Sequence, residues 1–168
     1  ECCAAVVMVM WNYRMLNITG EGRYADLMER VLYNAFLVGV SLDGTKYFYN
    51  NPLQSNGDHH RQEWYECACC PPNIARLLAS LAGYVYSKFE TGLAVHLYVQ
   101  SSVVVDLENG VTVKFSQATN YPWDGHIRCR LETPKPVRLE LRLRIPDWCR
   151  FYTLKVNQKS VKAKVHKG

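Results

Sequence analysis

The sequence predicts an α+β fold in which helices come first and strands follow. Two patterns carry this. Before about residue 92, apolar residues recur at helical spacing; from Leu93 onward they alternate with polar ones. Segregated runs of this kind build two packed units and not an alternating α/β sheet. A third observation is compositional: 48% of the 168 residues are apolar and 21% charged, the balance of a globular chain with a real core. The expected division is residues 1–92 and residues 93–168.

The first expected helix runs from Cys3 to Asn17. Its stretch Ala4 to Trp11 is apolar nearly all round, the pattern of a helix buried on every side. That run is far too short to span a bilayer. Thr19-Gly20-Glu21-Gly22 breaks it, and a second helix follows with Tyr24, Leu27, Met28, Val31, Ala35 and Val38 as its buried stripe. Asp43-Gly44 between two short apolar runs predicts a small hairpin, and residues 50–60 a polar loop. Pro71 and Pro72 fit only a first helical turn, where backbone N–H groups have no intrahelical acceptor. Ile74, Leu77, Leu78 and Leu81 then continue at helical spacing.

Strands are expected at Leu93 to Val99, Val103 to Leu107, Val111 to Phe115, Ile127 to Leu131 and Leu139 to Ile145. Around Asn109-Gly110 the register is open to argument. A two-residue loop would set Leu107 against Thr112 and Val105 against Lys114. A three-residue loop of Glu108, Asn109 and Gly110 sets Val105 against Val113 and Val103 against Phe115. Apolar cross-strand pairs at roughly 0.2–1 kcal/mol each favour the longer loop. Gly110 is then expected at positive φ, as in a bulge.

The net charge of +5 is modest. Its densest basic run, Arg138-Leu139-Glu140-Leu141-Arg142-Leu143-Arg144, alternates with apolar residues as the solvated face of a strand does. Neither a nucleic-acid partner nor a membrane is expected.

Seven cysteines are present, five of them in two tight groups: Cys2 with Cys3, and Cys67, Cys69 and Cys70. Vicinal cysteines pair poorly with each other, so this spacing speaks for metal or catalysis before disulfides. It favours a reducing compartment, the cytoplasm first, or thiols protected by metal. Cys129 and Cys149 stand alone on strand-like segments and are expected to be inert core thiols. Zinc takes thiolate, imidazole and carboxylate ligands in a tetrahedron. Glu1, Cys3, Cys69 and Cys70 offer four such groups at two helix starts, and the dipole of the second helix favours thiolate at Cys69 and Cys70. Spacing alone leaves three readings open: a group of reduced thiols, a structural zinc site, or a reactive thiolate.

Several motifs sharpen this. An E-x-C motif (Glu1 to Cys3) opens the buried helix, and Y-A-D-x-M-E-R-x-L-Y-N follows it (Tyr24 to Asn34, with Leu27 and Val31 at the variable places). With D-G-x-x-F-Y-x-N-P-L (Asp43 to Leu53, one residue expanded), C-C-P-P-N-I-A-R (Cys69 to Arg76) and R-I-P-D-W-C (Arg144 to Cys149), the chain resembles the β-L-arabinofuranosidases of glycoside hydrolase family 127. The resemblance implies the last helices of an (α/α)6 barrel followed by an antiparallel β-sandwich. It implies a Zn2+ ion held by Glu1, Cys3, Cys69 and Cys70, with Cys69 as nucleophile of a retaining hydrolase acting on terminal β-L-arabinofuranosyl residues of a glycan. The position between Glu1 and Cys3 is usually a small oxygen-bearing residue in the family; here it is Cys2.

His59 and His60, in the loop before the cysteines, and Trp64, which could stack on a sugar face, are candidate substrate contacts. The family's acid/base glutamate is expected upstream of E-x-C. The chain therefore reads as a carboxy-proximal fragment that is inactive alone and self-associates through exposed barrel helices. The rival readings are a non-enzymatic zinc-stabilised scaffold and a carbohydrate-binding module.

Overall fold

The computed structural model describes residues 1–108 and 110–166. The fold is α+β, and the chain forms two compact units: Glu1–Leu81 with Ile145–Gly168, and Ala82–Arg144. Among the described residues no helix is long and apolar enough to cross a membrane.

The first unit is built on three helices: α1 (Cys2–Thr19), α2 (Gly22–Val31) and α3 (Cys70–Ser80). Gly20 ends α1 in the left-handed conformation, its N–H bonded to the Leu16 carbonyl at 2.8 Å, a C-terminal cap that only glycine adopts without steric cost. After α2 the chain widens into one π turn, Leu32–Phe36, and tightens into a 3-10 turn, Leu37–Gly39.

Helix α1 carries the exposed apolar face expected of it, whereas the stripe expected on α2 needs correction. Helix α1 buries Cys2, Ala5, Val6, Val9, Asn12 and Leu16, but leaves Val7 (62% exposed), Met8 and Trp11 (60%) in solvent. It packs against α2, the π turn and α3, and these cover one side only. On α2 and its continuation the buried side chains are Ala25, Met28, Glu29, Leu32 and Phe36, not the expected stripe; of that stripe only Met28 is fully buried, while Leu27 and Val38 are exposed. The helix has more than one apolar face, and periodicity does not say which face finds a partner.

Between α2 and α3 the chain makes the expected hairpin. Val40 bridges Tyr47, which bridges Gln62 in turn. Asp43 fixes the bend by accepting from the Thr45 N–H at 3.0 Å and the Ser41 hydroxyl at 2.5 Å.

The second unit holds two three-stranded sheets. One has the order β1 (Tyr86–Phe89), β2 (Gly92–Val95), β6 (Glu140–Leu143); the other is β3 (Ser101–Asp106), β4 (Thr112–Thr119), β5 (Ile127–Glu132). Leu93 and Val95 from the first sheet and Phe115 from the second share one apolar cluster with Tyr98. The β3–β4 pairs are those of the longer loop: Val103 with Phe115 and Val105 with Val113. The Leu107 N–H bonds to the Val111 carbonyl at 3.0 Å, and Gly110 has φ +73°. Residue 109 lies outside the described residues.

Three features differ from the reading above. Strand β1 was not expected. Strand β2 stops at Val95, short of Val99. Strands β2 and β6 run parallel, Leu93 opposite Leu141, where an antiparallel arrangement was expected. A parallel pair needs a long crossover between its strands, and β3 to β5 supply it. In the tail of the first unit, Lys155–Val156 (β7) and Lys159–Ser160 (β8) form a two-residue ladder.

Candidate functional site

The site lies in the first unit, where α1 and α3 begin side by side. Helix α3 starts at Cys70, with Cys69 at its N-cap position and Pro71 and Pro72 in the first turn. The prolines fix the backbone of the first turn just after the two adjacent cysteines. Cys3, in the first turn of α1, completes the group. The Sγ atoms of Cys3, Cys69 and Cys70 all lie within 4.8 Å of one another. Cys3 to Cys70 is 3.4 Å and Cys69 to Cys70 is 3.8 Å.

These spacings suit zinc. Tetrahedral thiolates each about 2.3 Å from the metal stand about 3.8 Å apart. Three sulfurs at that separation can share one ion by small side-chain rotations. The expected fourth ligand, Glu1, is the exposed N-cap residue of α1, and its carboxylate is not among the atoms of the 4.8 Å group.

The three thiols are not equivalent. The Tyr49 hydroxyl is 3.5 Å from Cys69 Sγ, and this bond, helped by one from Cys3, holds the Cys69 thiol below its ordinary pKa. In the neutral pair the thiol donates to the hydroxyl oxygen; once Cys69 is a thiolate the hydroxyl donates to it instead, and the same contact raises the pKa of Tyr49. Burial does the reverse at Cys70, pushing its thiol up to about 12. Cys70 is fully buried, whereas Cys69 is part-exposed. The more acidic thiol is therefore the more accessible one, as a nucleophile requires. The Asn73 side-chain amide donates to Cys3 Sγ at 3.2 Å.

The structure brings some expected residues here and not others. Cys2 points away from this group: its thiol donates to the Phe48 carbonyl at 2.9 Å. Cys67 is exposed and is not one of the three converging thiols. His59 stacks on the Phe48 ring (centroids 4.7 Å apart), and its Nε2 is 2.9 Å from the Asn50 carbonyl oxygen. It props the segment that carries Tyr49. His60 is exposed, and Trp64 is 62% exposed on the loop before Cys67. Neither belongs to the sulfur group. Cys129 is exposed on β5 and Cys149 half-buried, so neither is the core thiol expected. Tyr49 is the residue that sequence reasoning underrated: in the alternation Tyr47-Phe48-Tyr49 it reads as core packing, although its motif sits among those that carry the site. An open groove of about 530 Å³ begins at Glu1 and Cys3 and is lined further along α1 by Ala4, Val7, Met8 and Trp11.

Comparison with known proteins decides the lineage. Residues 1–83 match the family described as "Beta-L-arabinofuranosidase, GH127 catalytic domain", and residues 92–168 match the GH127 middle domain. This chain belongs to glycoside hydrolase family 127. A curated relative, the non-reducing end β-L-arabinofuranosidase of Bifidobacterium longum subsp. longum, is 37% identical across the whole chain. Among solved structures, a GH127 β-L-arabinofuranosidase from Geobacillus stearothermophilus T6 superposes with a TM-score of 0.91 at 43% identity, over 96% of this chain and 27% of that one. A second GH127 β-arabinofuranosidase gives 0.92 at 37% identity, over 100% of this chain and 29% of that one. The chain spans 28% of the length of the curated relative.

Proposed function

We propose that this chain carries the nucleophile half of a retaining glycoside hydrolase that removes terminal β-L-arabinofuranosyl residues from a glycan. The observation that carries the reading is the asymmetric sulfur group. Three thiols converge, and the part-exposed Cys69 has a tyrosine hydroxyl 3.5 Å from its sulfur that holds its pKa down. Cys69 Sγ would attack the anomeric carbon as the bond to the leaving oxygen breaks, giving a thioglycosyl enzyme that water then hydrolyses with overall retention. Tyr49 would hold the sulfur in line, supporting the thiolate before attack and releasing it as negative charge moves from sulfur to the leaving group.

Cys3, Cys69 and Cys70 would hold a zinc ion, with Glu1 as fourth ligand after its carboxylate swings inward. Bound there, zinc would keep its cysteine ligands deprotonated at neutral pH. The leaving oxygen needs a proton from a carboxylic acid. We assign that acid to sequence outside this chain, and expect the chain alone to be inactive. We further assign residues 1–92 to the last helices of an (α/α)6 barrel and residues 93–168 to a β-sandwich, a division supported by the two family matches. Seven free thiols support a reducing compartment.

The test is covalent. The zinc-loaded chain is incubated with an electrophilic mimic of β-L-arabinofuranose, and tryptic peptides are analysed by mass spectrometry. An adduct on Cys69 is expected. Labelling confined to the exposed Cys67, or equal labelling by a mimic of the opposite anomeric configuration, would defeat the reading.

A further inference from the structure

We propose that Cys2 is a positioning residue: its buried thiol fastens the 48–51 segment to the start of α1 and so sets Tyr49 against the sulfur group. Adjacent residues on a helix diverge by about 100°, so Cys2 and Cys3 face different neighbours. Cys3 meets Cys70. Cys2 is fully buried on the other side, where its Sγ donates to the Phe48 carbonyl at 2.9 Å and lies 3.5 Å from Asn51 Oδ1. Its backbone N–H also donates to the Tyr49 carbonyl at 2.9 Å. Asn51 carries the segment's second tie, its side-chain amide donating to the Ala35 carbonyl at 2.6 Å.

Tyr49 sits between these two ties. Its carbonyl faces Cys70 Sγ at 3.7 Å, and its hydroxyl meets Cys69 Sγ at 3.5 Å. A shift of the segment would therefore move a contact to each of two cysteines at once. The Cys2 thiol is committed to a backbone carbonyl and stands apart from the three sulfurs that could share an ion.

Size matters as well as polarity. A Cβ built on Gly39 would stand 2.7 Å from Cys2 Sγ, and the nearest atom after it is Ile74 Cδ1 at 3.5 Å. The space at residue 2 is thus closed by the Gly39 backbone and suits only a small side chain. Ala and Ser both fit, and they differ by the one hydroxyl that can take over the bond to the Phe48 carbonyl. A purely space-filling role would not separate them; a tether would.

The experiment compares the unmodified chain with Cys2→Ser and Cys2→Ala by two readouts. Amide hydrogen exchange at residues 49–51 of the metal-free chain reports the tether. Titration with cobalt(II), followed by its thiolate charge-transfer absorption, reports the site; this second readout rests on the metal reading proposed above. Cys2→Ala is expected to speed exchange at 49–51 roughly three- to tenfold, the scale of one lost hydrogen bond, and to weaken cobalt binding by a similar factor. Cys2→Ser is expected to restore both to within about twofold, with unchanged charge-transfer intensity per bound ion in all three proteins.

Exchange in Cys2→Ala equal to that of the unmodified chain overturns the proposal. So does a Ser variant that behaves like Ala, a cobalt affinity that ignores faster exchange, or intensity lost in Cys2→Ser, which would make Cys2 a ligand. If the unmodified chain binds no cobalt, the metal reading falls and the exchange pattern alone decides for or against Cys2. Should Cys2→Ala not fold, Cys2→Ser decides: native-like exchange supports the tether and faster exchange refutes it.

Discussion

At the scale of residues, the proposed chemistry rests on one hydroxyl and one sulfur. The Tyr49 hydroxyl holds Cys69 below its ordinary thiol pKa, so its removal raises that pKa and lowers the thiolate fraction at neutral pH. In the metal-free Tyr49→Phe chain, iodoacetamide should alkylate Cys69 roughly three- to tenfold more slowly at pH 7, the effect of one lost hydrogen bond. An unchanged rate would show that the hydroxyl does not support the thiolate. A second residue bears on pH. His96 is buried, its Nε2 is 2.8 Å from Ser87 Oγ, and burial together with the Arg144 charge lowers its pKa from 6.5 to about 4. The unfolded chain therefore binds the proton more readily. Stability from this group is complete above about pH 6.5 and is lost as pH falls toward 4. Between pH 7.5 and 5 urea unfolding should show a loss of about 2 kcal/mol, and His96→Gln should remove most of it; equal pH slopes in the two proteins would assign the loss elsewhere. Spacing marked the five clustered cysteines as unusual but left a group of reduced thiols, a structural zinc site and a reactive thiolate all open; the fold brings Cys3, Cys69 and Cys70 within 4.8 Å of one another. The Tyr49 contact left no such mark, since it joins residues 20 apart and not neighbours in the chain.

At the scale of elements, sequence determined type better than environment. The β3–β4 register followed from matching apolar pairs, and Gly110 took the positive φ that this register demands. Strand β1 escaped notice because Tyr86-Ser87-Lys88-Phe89 is four residues long and follows the 3-10 turn Leu81–Tyr84 after a single residue. The parallel β2–β6 pair escaped because partners separated by a long crossover leave no local signal. That pair depends on Gly92. A Cβ there would lie 1.8 Å from the Glu140 carbonyl oxygen, and backbone cannot rotate away as a side chain can. Gly92→Ala should cost about 3 kcal/mol, the upper part of the usual overpacking range. The loss should appear as faster hydrogen exchange in β2 and β6, with α1 and α3 unaffected. Native exchange in those strands would mean that the pair tolerates a bulge at residue 92.

At the scale of the whole molecule, the exposed face of α1 remains without a partner among the described residues. Val7, Met8 and Trp11 form a row at i, i+1 and i+4 on a helix whose composition suits burial, and they line the groove that begins at Glu1 and Cys3. Burying a side chain of this size is worth roughly 1.5–3 kcal/mol, and two copies meeting through this face would bury the row on both. A second copy of the chain is thus the occupant we expect in a purified sample, with α1 packed on α1. Sedimentation velocity should show a weight-average mass that rises with concentration. Trp11→Glu should return the chain to the monomer, because it sets two like charges against each other across a two-fold contact. The substitution lies on an exposed position, so helix content and the Cys69 alkylation rate should stay as they were. A concentration-independent monomer in the unmodified chain would refute the association. Association that survives Trp11→Glu would place it on another surface, such as the exposed side chains of Trp148, Phe151 and Tyr152 in the tail of the first unit.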